Sequence, residues 1–119
     1  MNTETSNTQP IKINFFIPKN RYYELKYFSL QYKHWKKVSE NENLTKAEQT
    51  AAAVAIYKIE NAIQQVNCVF DYKILMDCVT NGASYKHLVE KYGAVMPSKE
   101  VFYDAYRKYF YFLNKLKGV

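Results

Sequence analysis

The last third of the chain contains two helix-forming segments separated by a short connection, and this feature limits the fold more than any other. Residues 84–92 begin at Ser84, a residue type that caps helices, and are followed by Gly93, which supplies the positive φ that a turn requires. A second helical pattern opens at Ser98 and runs to about residue 117. The sequence therefore predicts a helix-turn-helix at about residues 84–117.

Two more helices are predicted in the middle of the chain. Thr45 and Glu48 have the spacing of a capping box, in which a hydroxyl and a carboxylate satisfy free amides at a helix start. The helix that follows carries an apolar stripe of Ala52, Ala55, Ile59, Ala62, Ile63 and Val66. A shorter helix is expected over about residues 71–79, before the left-handed cap signal Asn81-Gly82. Its buried side is expected to consist of Phe70, Ile74, Leu75 and Cys78.

The first helix is expected to start near Asn20, after Pro18. At alternating spacings of three and four residues, it would bury Leu25, Phe28, Tyr32 and Trp35. Its other face is basic and carries Arg21, Lys26, Lys33, Lys36 and Lys37. Either a solvated helix face or a surface that contacts phosphates explains this pattern.

The N-terminal residues are expected to lie outside the helical domain, which comprises residues 20–119. Residues 1–10 are polar and are predicted to form a disordered tail, because they cannot bury enough apolar surface to become ordered. Residues 11–19 place Ile11, Ile13, Phe15 and Ile17 at alternate positions, which predicts an extended arm or strand. This arm either pairs with its copy in a homodimer or lies across the helices.

The composition agrees with one small all-α domain of four to five helices. A chain of 119 residues forms one modest core, and its net charge of +6 attracts polyanions without selecting among them. Apolar runs are interrupted by charged or amide side chains too often to cross a bilayer. A protein without membrane contact is therefore expected. Cys68 and Cys78 lack C-x-x-C spacing, which predicts a reduced, intracellular protein.

Helical projection separates the two sides of the last helix. The buried side is predicted to contain Phe102, Ala105, Tyr106, Tyr109, Leu113 and Leu116. The outward side is predicted to contain Glu100, Tyr103, Asp104, Arg107, Lys108 and Tyr111. Phe110 and Phe112 widen the apolar arc, which indicates either a small aromatic core or contact with a partner chain.

Three segments of the chain resemble the ArpU/RinA/LtrC-type phage late transcription regulators, small proteins with a sigma-region-4-like helix-turn-helix. The segments are residues 32–38 (YKHWKKV), 55–66 (AIYKIENAIQQV) and 98–117 (SKEVFYDAYRKYFYFLNKLK). The resemblance implies a DNA-binding transcriptional regulator of phage or mobile-element type, in the cytoplasm of a bacterial host cell. It also implies RNA polymerase or another transcription regulator as a partner.

The expected DNA contacts divide into two chemical groups. Basic side chains would bind phosphates and give affinity without sequence choice: Lys86, His87, Lys91, Arg107 and Lys108. Residues at the start of the last helix would face base edges: Ser98, Lys99, Glu100 and Tyr103. The chain departs from the family pattern in the longer turn of residues 94–97 and in Asp104, where the family usually has a basic residue.

The alternative hypothesis is a protein-binding modulator that keeps a regulator-like fold and docks on a transcription regulator, polymerase or defence complex without binding DNA. Glu100 and Asp104 favour it because carboxylates repel phosphates, and aromatic side chains are enriched at interface hot spots. This hypothesis predicts an exposed patch of Tyr103, Phe110, Tyr111 and Phe112 with a few charges around it.

Catalytic spacing is absent from the sequence. His34 and His87 lie on different predicted helices, and neither stands in a recognised spacing with a nucleophile or carboxylate. The cysteines and histidines do not have zinc-ligand spacing, and the isolated glycines do not form a phosphate-binding loop. We therefore expect a non-enzymatic protein without a metal or cofactor.

Overall fold

The computed structural model describes residues 16–118 as an all-α fold of six α-helices. The helices are α1 (Lys19–Leu30), α2 (Tyr32–Glu40), α3 (Lys46–Val66), α4 (Tyr72–Asn81), α5 (Tyr85–Tyr92) and α6 (Lys99–Leu116). A short 3₁₀ turn, Gly93–Val95, follows α5. The predicted tail and residues 11–15 of the predicted arm lie outside the described residues. The remaining arm residues are irregular at 16–18, and Lys19 already belongs to α1.

The prediction of one helix in the region of α1 and α2 is wrong, because the chain breaks at Gln31 (φ −89°, ψ 6°). Just before the break, the buried Ser29 donates its hydroxyl hydrogen to the carbonyl oxygen of Leu25 at 2.8 Å. Such a bond back to the preceding turn competes with the helix ladder and bends the helix. The split accounts for six helices among the described residues, where four or five were predicted.

The predicted capping box at the start of α3 is confirmed. The Glu48 amide donates to the Thr45 hydroxyl oxygen at 3.1 Å, and the Thr45 amide donates to the Glu48 carboxylate at 3.0 Å. The apolar stripe of α3 is confirmed as well, since all six of its predicted members are buried. Local capping and helical periodicity therefore define this helix completely.

Replacing Thr45 by alanine is expected to lower the free energy of unfolding by about 1 kcal/mol, because it leaves a helix-start amide without its acceptor. Thr45→Ser retains the hydroxyl and serves as the matched control in urea denaturation. The pKa of Glu48 lies below its ordinary value, chiefly because the Thr45 amide donates to the carboxylate. The Glu48 carboxylate therefore stabilises the folded protein above its ordinary pKa, and this stabilisation is lost as the pH falls through the folded-state pKa. Equal stability of the Thr45→Ala and Thr45→Ser proteins would contradict this prediction.

The main core forms where α1, α3, α4 and α6 meet. Its largest fully buried side chain is Tyr109, whose hydroxyl group lies 2.8 Å from the Ser29 hydroxyl oxygen. The other buried members are Leu25, Ile59, Ala62, Ile63, Val66, Leu75, Val79, Ala105, Phe110 and Leu113. The helix α6 contributes Ala105, Phe110 and Leu113 in addition to Tyr109, so α6 and α3 each supply four buried residues of this core.

Capping residues set the bounds of the last three helices. Gly82 adopts φ 71° after α4, which confirms the predicted left-handed cap. Ser84 accepts a hydrogen bond from the His87 amide at 3.1 Å, and Ser98 accepts one from the Val101 amide at 3.3 Å. Gly93 adopts φ 60°, so the predicted turn residue has the expected backbone conformation. Between residues 16 and 118, no helix combines the length with the apolar character that crossing a bilayer requires.

Candidate nucleic-acid interface

The helices α4, α5 and α6 share a small core of their own. Ile74 on α4 and Leu88 on α5 are fully buried, and Phe102 on α6 is 1 % exposed. Cys78 completes the buried set, and partly buried side chains surround it: Phe70, Ala83, Tyr85, Tyr92, Met96 and Tyr106. Because each helix contributes a buried side chain, packing determines how α5 and α6 lie relative to α4.

Tyr85 links the start of α5 to the start of α6. Its hydroxyl group donates to the Pro97 carbonyl oxygen at 2.7 Å, which ties α5 to the residue before the Ser98 cap. Its ring centroid lies 6.2 Å from that of Tyr103, and the Lys99 ammonium lies 5.8 Å from the Tyr85 centroid. The first turns of α5 and α6 are therefore neighbours on the surface.

Most of the predicted DNA-contacting residues lie on the surface of this three-helix unit. Lys86, His87, Ser98, Lys99, Tyr103 and Arg107 are exposed, and Lys108 is half-buried. Tyr103 is held on one side by Phe102, at a centroid distance of 5.2 Å, and by Tyr85. The geometry thus brings the start of α5 and the start of α6 together, whereas Arg107 and Lys108 lie two turns further along α6.

Asp104, the acidic residue in the outward face of α6, forms ion pairs within its own helix. Its carboxylate lies 2.9 Å from the Lys108 ammonium and 4.0 Å from the Arg107 guanidinium. Both pairs are partly exposed, so each contributes little to stability. Their effect on the surface is to offset the negative charge that otherwise repels phosphates.

Lys91 differs from the other predicted phosphate-binding residues because its ammonium group pairs with a carboxylate of a neighbouring helix. It donates to the Asp77 carboxylate of α4 at 2.6 Å, and the Tyr92 hydroxyl donates to the same oxygen at 3.0 Å. The Asn81 amide donates to the other Asp77 oxygen at 2.6 Å. Burial acts to raise the Asp77 pKa, but these three hydrogen bonds outweigh it and hold the pKa below its ordinary value. Lys91 therefore serves first to join α5 to α4.

The Asp77 network lines an open groove of about 1030 Å³ between α2, α3, α4 and α5, which the sequence reasoning missed. At its far side, the Tyr32 hydroxyl donates to the Glu60 carboxylate at 2.5 Å. Burial, followed by this bond, raises the Tyr32 pKa. One sequence signal pointed to the network: Asp77 lies between Leu75 and Cys78 on the predicted buried side of α4, where a carboxylate needs hydrogen-bond donors.

The predicted aromatic interface patch is wrong for Phe110, which is 2 % exposed. Its ring centroid lies 5.1 Å from that of Tyr22 on α1 and 4.9 Å from that of Tyr106. Phe112 is half-buried and packs against the main core, and half-buried Tyr111 lies beside it with the Lys115 ammonium 4.7 Å from its centroid. The wide apolar arc of α6 is used internally, since α1 and α3 cover it from two sides.

The histidines are separated in the fold as well, with His34 on α2 and His87 on α5. Across the part of the chain that the structure describes, His, Cys, Asp and Glu side chains do not form a group of three or more that could hold a metal ion. Comparison of the chain with protein-family models, with curated proteins and with solved structures gave no match in any of the three.

Proposed function

We propose that this protein binds duplex DNA through α4, α5 and α6, arranged as a helix-turn-helix, and acts as a transcriptional regulator of phage or mobile-element type. The observation that carries the proposal is the Tyr85 contact, in which the side chain at the first turn of α5 reaches Pro97 and Tyr103 at the opening of α6. Helix starts present free amides and a partial positive charge, and both favour phosphate oxygens. Lys86 and Lys99 add full positive charges to the same surface.

Under this proposal, the residues of the unit take different parts in binding. Lys86 and His87 contact phosphates beside the groove, and Ser98, Lys99 and Tyr103 approach the base edges. Arg107 and Lys108 extend the phosphate contacts along α6, with Asp104 limiting the net charge. One copy has few bidentate base contacts available, so specific binding calls for a homodimer or for recruitment beside RNA polymerase or another transcription regulator.

The protein-docking alternative is less well supported by the arrangement of aromatic side chains. It required Tyr103, Phe110, Tyr111 and Phe112 to form an exposed patch, and the burial of Phe110 removes one of the four, while Tyr103 is exposed. Tyr111 and Phe112 are half-buried neighbours on α6, and Phe112 packs against the main core. DNA binding uses side chains that are exposed as they stand, so it is the function that we propose.

The test is duplex DNA binding across a salt series with the double variant Lys86→Ala/Lys99→Ala. If both lysines contact phosphates, affinity falls and the slope of log affinity against log salt decreases by about 1.8, since each lost contact removes about 0.9. The matched control is Lys19→Ala/Lys46→Ala, which removes the same charge from exposed positions on α1 and α3, outside the proposed binding unit, and is expected to keep the wild-type slope. An unchanged slope in the Lys86→Ala/Lys99→Ala variant would contradict the assignment of this surface to DNA binding.

The regulatory part of the proposal is tested separately, by competition between fragments of the encoding element and random duplex DNA. A regulator is expected to favour one fragment at physiological salt, because base contacts add to the phosphate contacts. Equal binding to every fragment would leave a DNA-binding protein without sequence choice and would contradict its role as a specific regulator.

A further inference from the structure

A small cavity separate from the polar groove lies between α1, the end of α4 and the first half of α6. Its volume is about 260 Å³. Leu30 and Lys26 of α1 form one side, and Cys78 and Val79 of α4 form another. The side of α6 is aromatic and is formed by Phe102, Tyr103, Tyr106 and Phe110, with Tyr85 of α5 beside them.

The aromatic wall is continuous because neighbouring rings are in contact. The ring centroids of Tyr85 and Phe102 lie 5.6 Å apart, and those of Tyr106 and Phe110 lie 4.9 Å apart. Phe102 and Tyr106 join the two pairs at 6.3 Å. An apolar cavity of about 150 Å³ is large enough to bind benzene, so this cavity has room for one aromatic ring with a small substituent.

Among the described residues that line the cavity, Lys26 is the only charged residue and none is a carboxylate. The Cys78 thiol lines the cavity, and its pKa is raised to about 11, chiefly by burial and next by the Asp77 carboxylate of α4, while the Lys26 ammonium has a smaller, opposite effect. The thiol is therefore protonated at neutral pH, and the positive charge of Lys26 is not offset by a thiolate in the cavity.

We propose that this cavity binds a small, single-ring aromatic carboxylate, with the ring against the wall formed by Tyr85, Phe102 and Tyr106 and the carboxylate on Lys26. The volume selects the single ring, the aromatic wall selects a planar apolar body, and Lys26 selects an anionic substituent. Binding at this site does not depend on the DNA-binding function that we propose above.

The probe for the test is benzoate, compared with benzyl alcohol, which has the ring without the charge, and with acetate, which has the charge without the ring. Isothermal titration with the full chain is expected to show saturable benzoate binding about tenfold tighter than binding of either comparison compound. Lys26→Met keeps most of the side-chain length and is expected to weaken benzoate about tenfold while leaving benzyl alcohol unchanged. Lys33→Met, an exposed lysine on α2, is the matched control and is expected to bind benzoate as the wild type does.

Protection of Cys78 provides a second measurement that does not rely on the lysine variants. In a Cys68→Ser background, saturating benzoate is expected to slow alkylation of Cys78 several-fold, because the thiol lines the cavity. Acetate at the same concentration is expected to have no effect. Absence of saturable benzoate binding, equal affinity in Lys26→Met, or unprotected Cys78 would overturn the proposal.

Discussion

Truncation of Phe102 to alanine is expected to lower the free energy of unfolding by about 3 to 5 kcal/mol, the range for large-to-small substitutions of buried aromatic residues. Phe102 is 1 % exposed and contacts the rings of Phe70, Tyr85 and Tyr106, so its removal opens a cavity among three helices. Native domains have only about 5 to 15 kcal/mol in total. The loss is therefore a large part of the stability of the protein.

Urea denaturation followed by far-UV circular dichroism measures this effect directly. The control is Val101→Ala, the adjacent residue on α6, which is 39 % exposed and is expected to change stability by less than about 1 kcal/mol. Because Phe102 holds α5 and α6 to α4, the Phe102→Ala protein is also expected to bind duplex DNA more weakly than the Val101→Ala control does. A stability loss no greater than that of Val101→Ala would show that the three-helix core is assigned incorrectly.

Replacement of Asp77 by alanine is expected to cost about 2 kcal/mol, because three hydrogen bonds to a buried carboxylate are lost together. The figure is below that for breaking a fully buried ion pair, since the Lys91 side chain is 52 % exposed and its ammonium group regains water. Amide hydrogen exchange is expected to increase most in α5, whose last turn is held to α4 by Lys91 and Tyr92.

The acid sensitivity of the same network follows from the lowered pKa of Asp77. The ordinary aspartate pKa is about 3.8, and the folded-state pKa lies below it. A lowered folded-state pKa means that the carboxylate stabilises the protein fully above the ordinary pKa, and that this contribution is lost as the pH falls through the folded-state pKa. The wild type is therefore expected to lose its advantage over Asp77→Asn as the pH falls below about 3.8 and through the lower folded-state pKa. A difference that stays constant through this range would contradict the charge-based account.

The local features of the chain were accessible from the sequence because each depends on residues close together along it. The Thr45–Glu48 capping box, the Gly82 cap and the serines that open α5 and α6 were all predicted correctly. The apolar stripe of α3 was also correct in every member, since a regular 3.6-residue period determines which side chains share a face. These signals established an all-α protein and the order of its helices.

The candidate site was predictable only in part. Exposure of the basic residues on α5 and at the start of α6 follows from helical projection, but the contact of Tyr85 with Pro97 and Tyr103 depends on how two helices cross. The Asp77 network and the small cavity beside Lys26 join residues that are far apart along the chain. No sequence period or spacing relates such residues, so neither feature could be predicted from the sequence.

Tertiary packing determined the remaining features, and each of them depends on a contact with a residue far away along the chain. Phe110 is buried because α1 lies across it, Lys91 points toward α4 because Asp77 needs a cation, and the break at Gln31 follows the buried Ser29, which meets Tyr109 of α6. The sequence alone determined the helices α3 to α6, because backbone hydrogen bonds and caps join near neighbours. Only the tertiary structure determined which surfaces stay exposed, because burial depends on side chains brought together from distant positions in the chain.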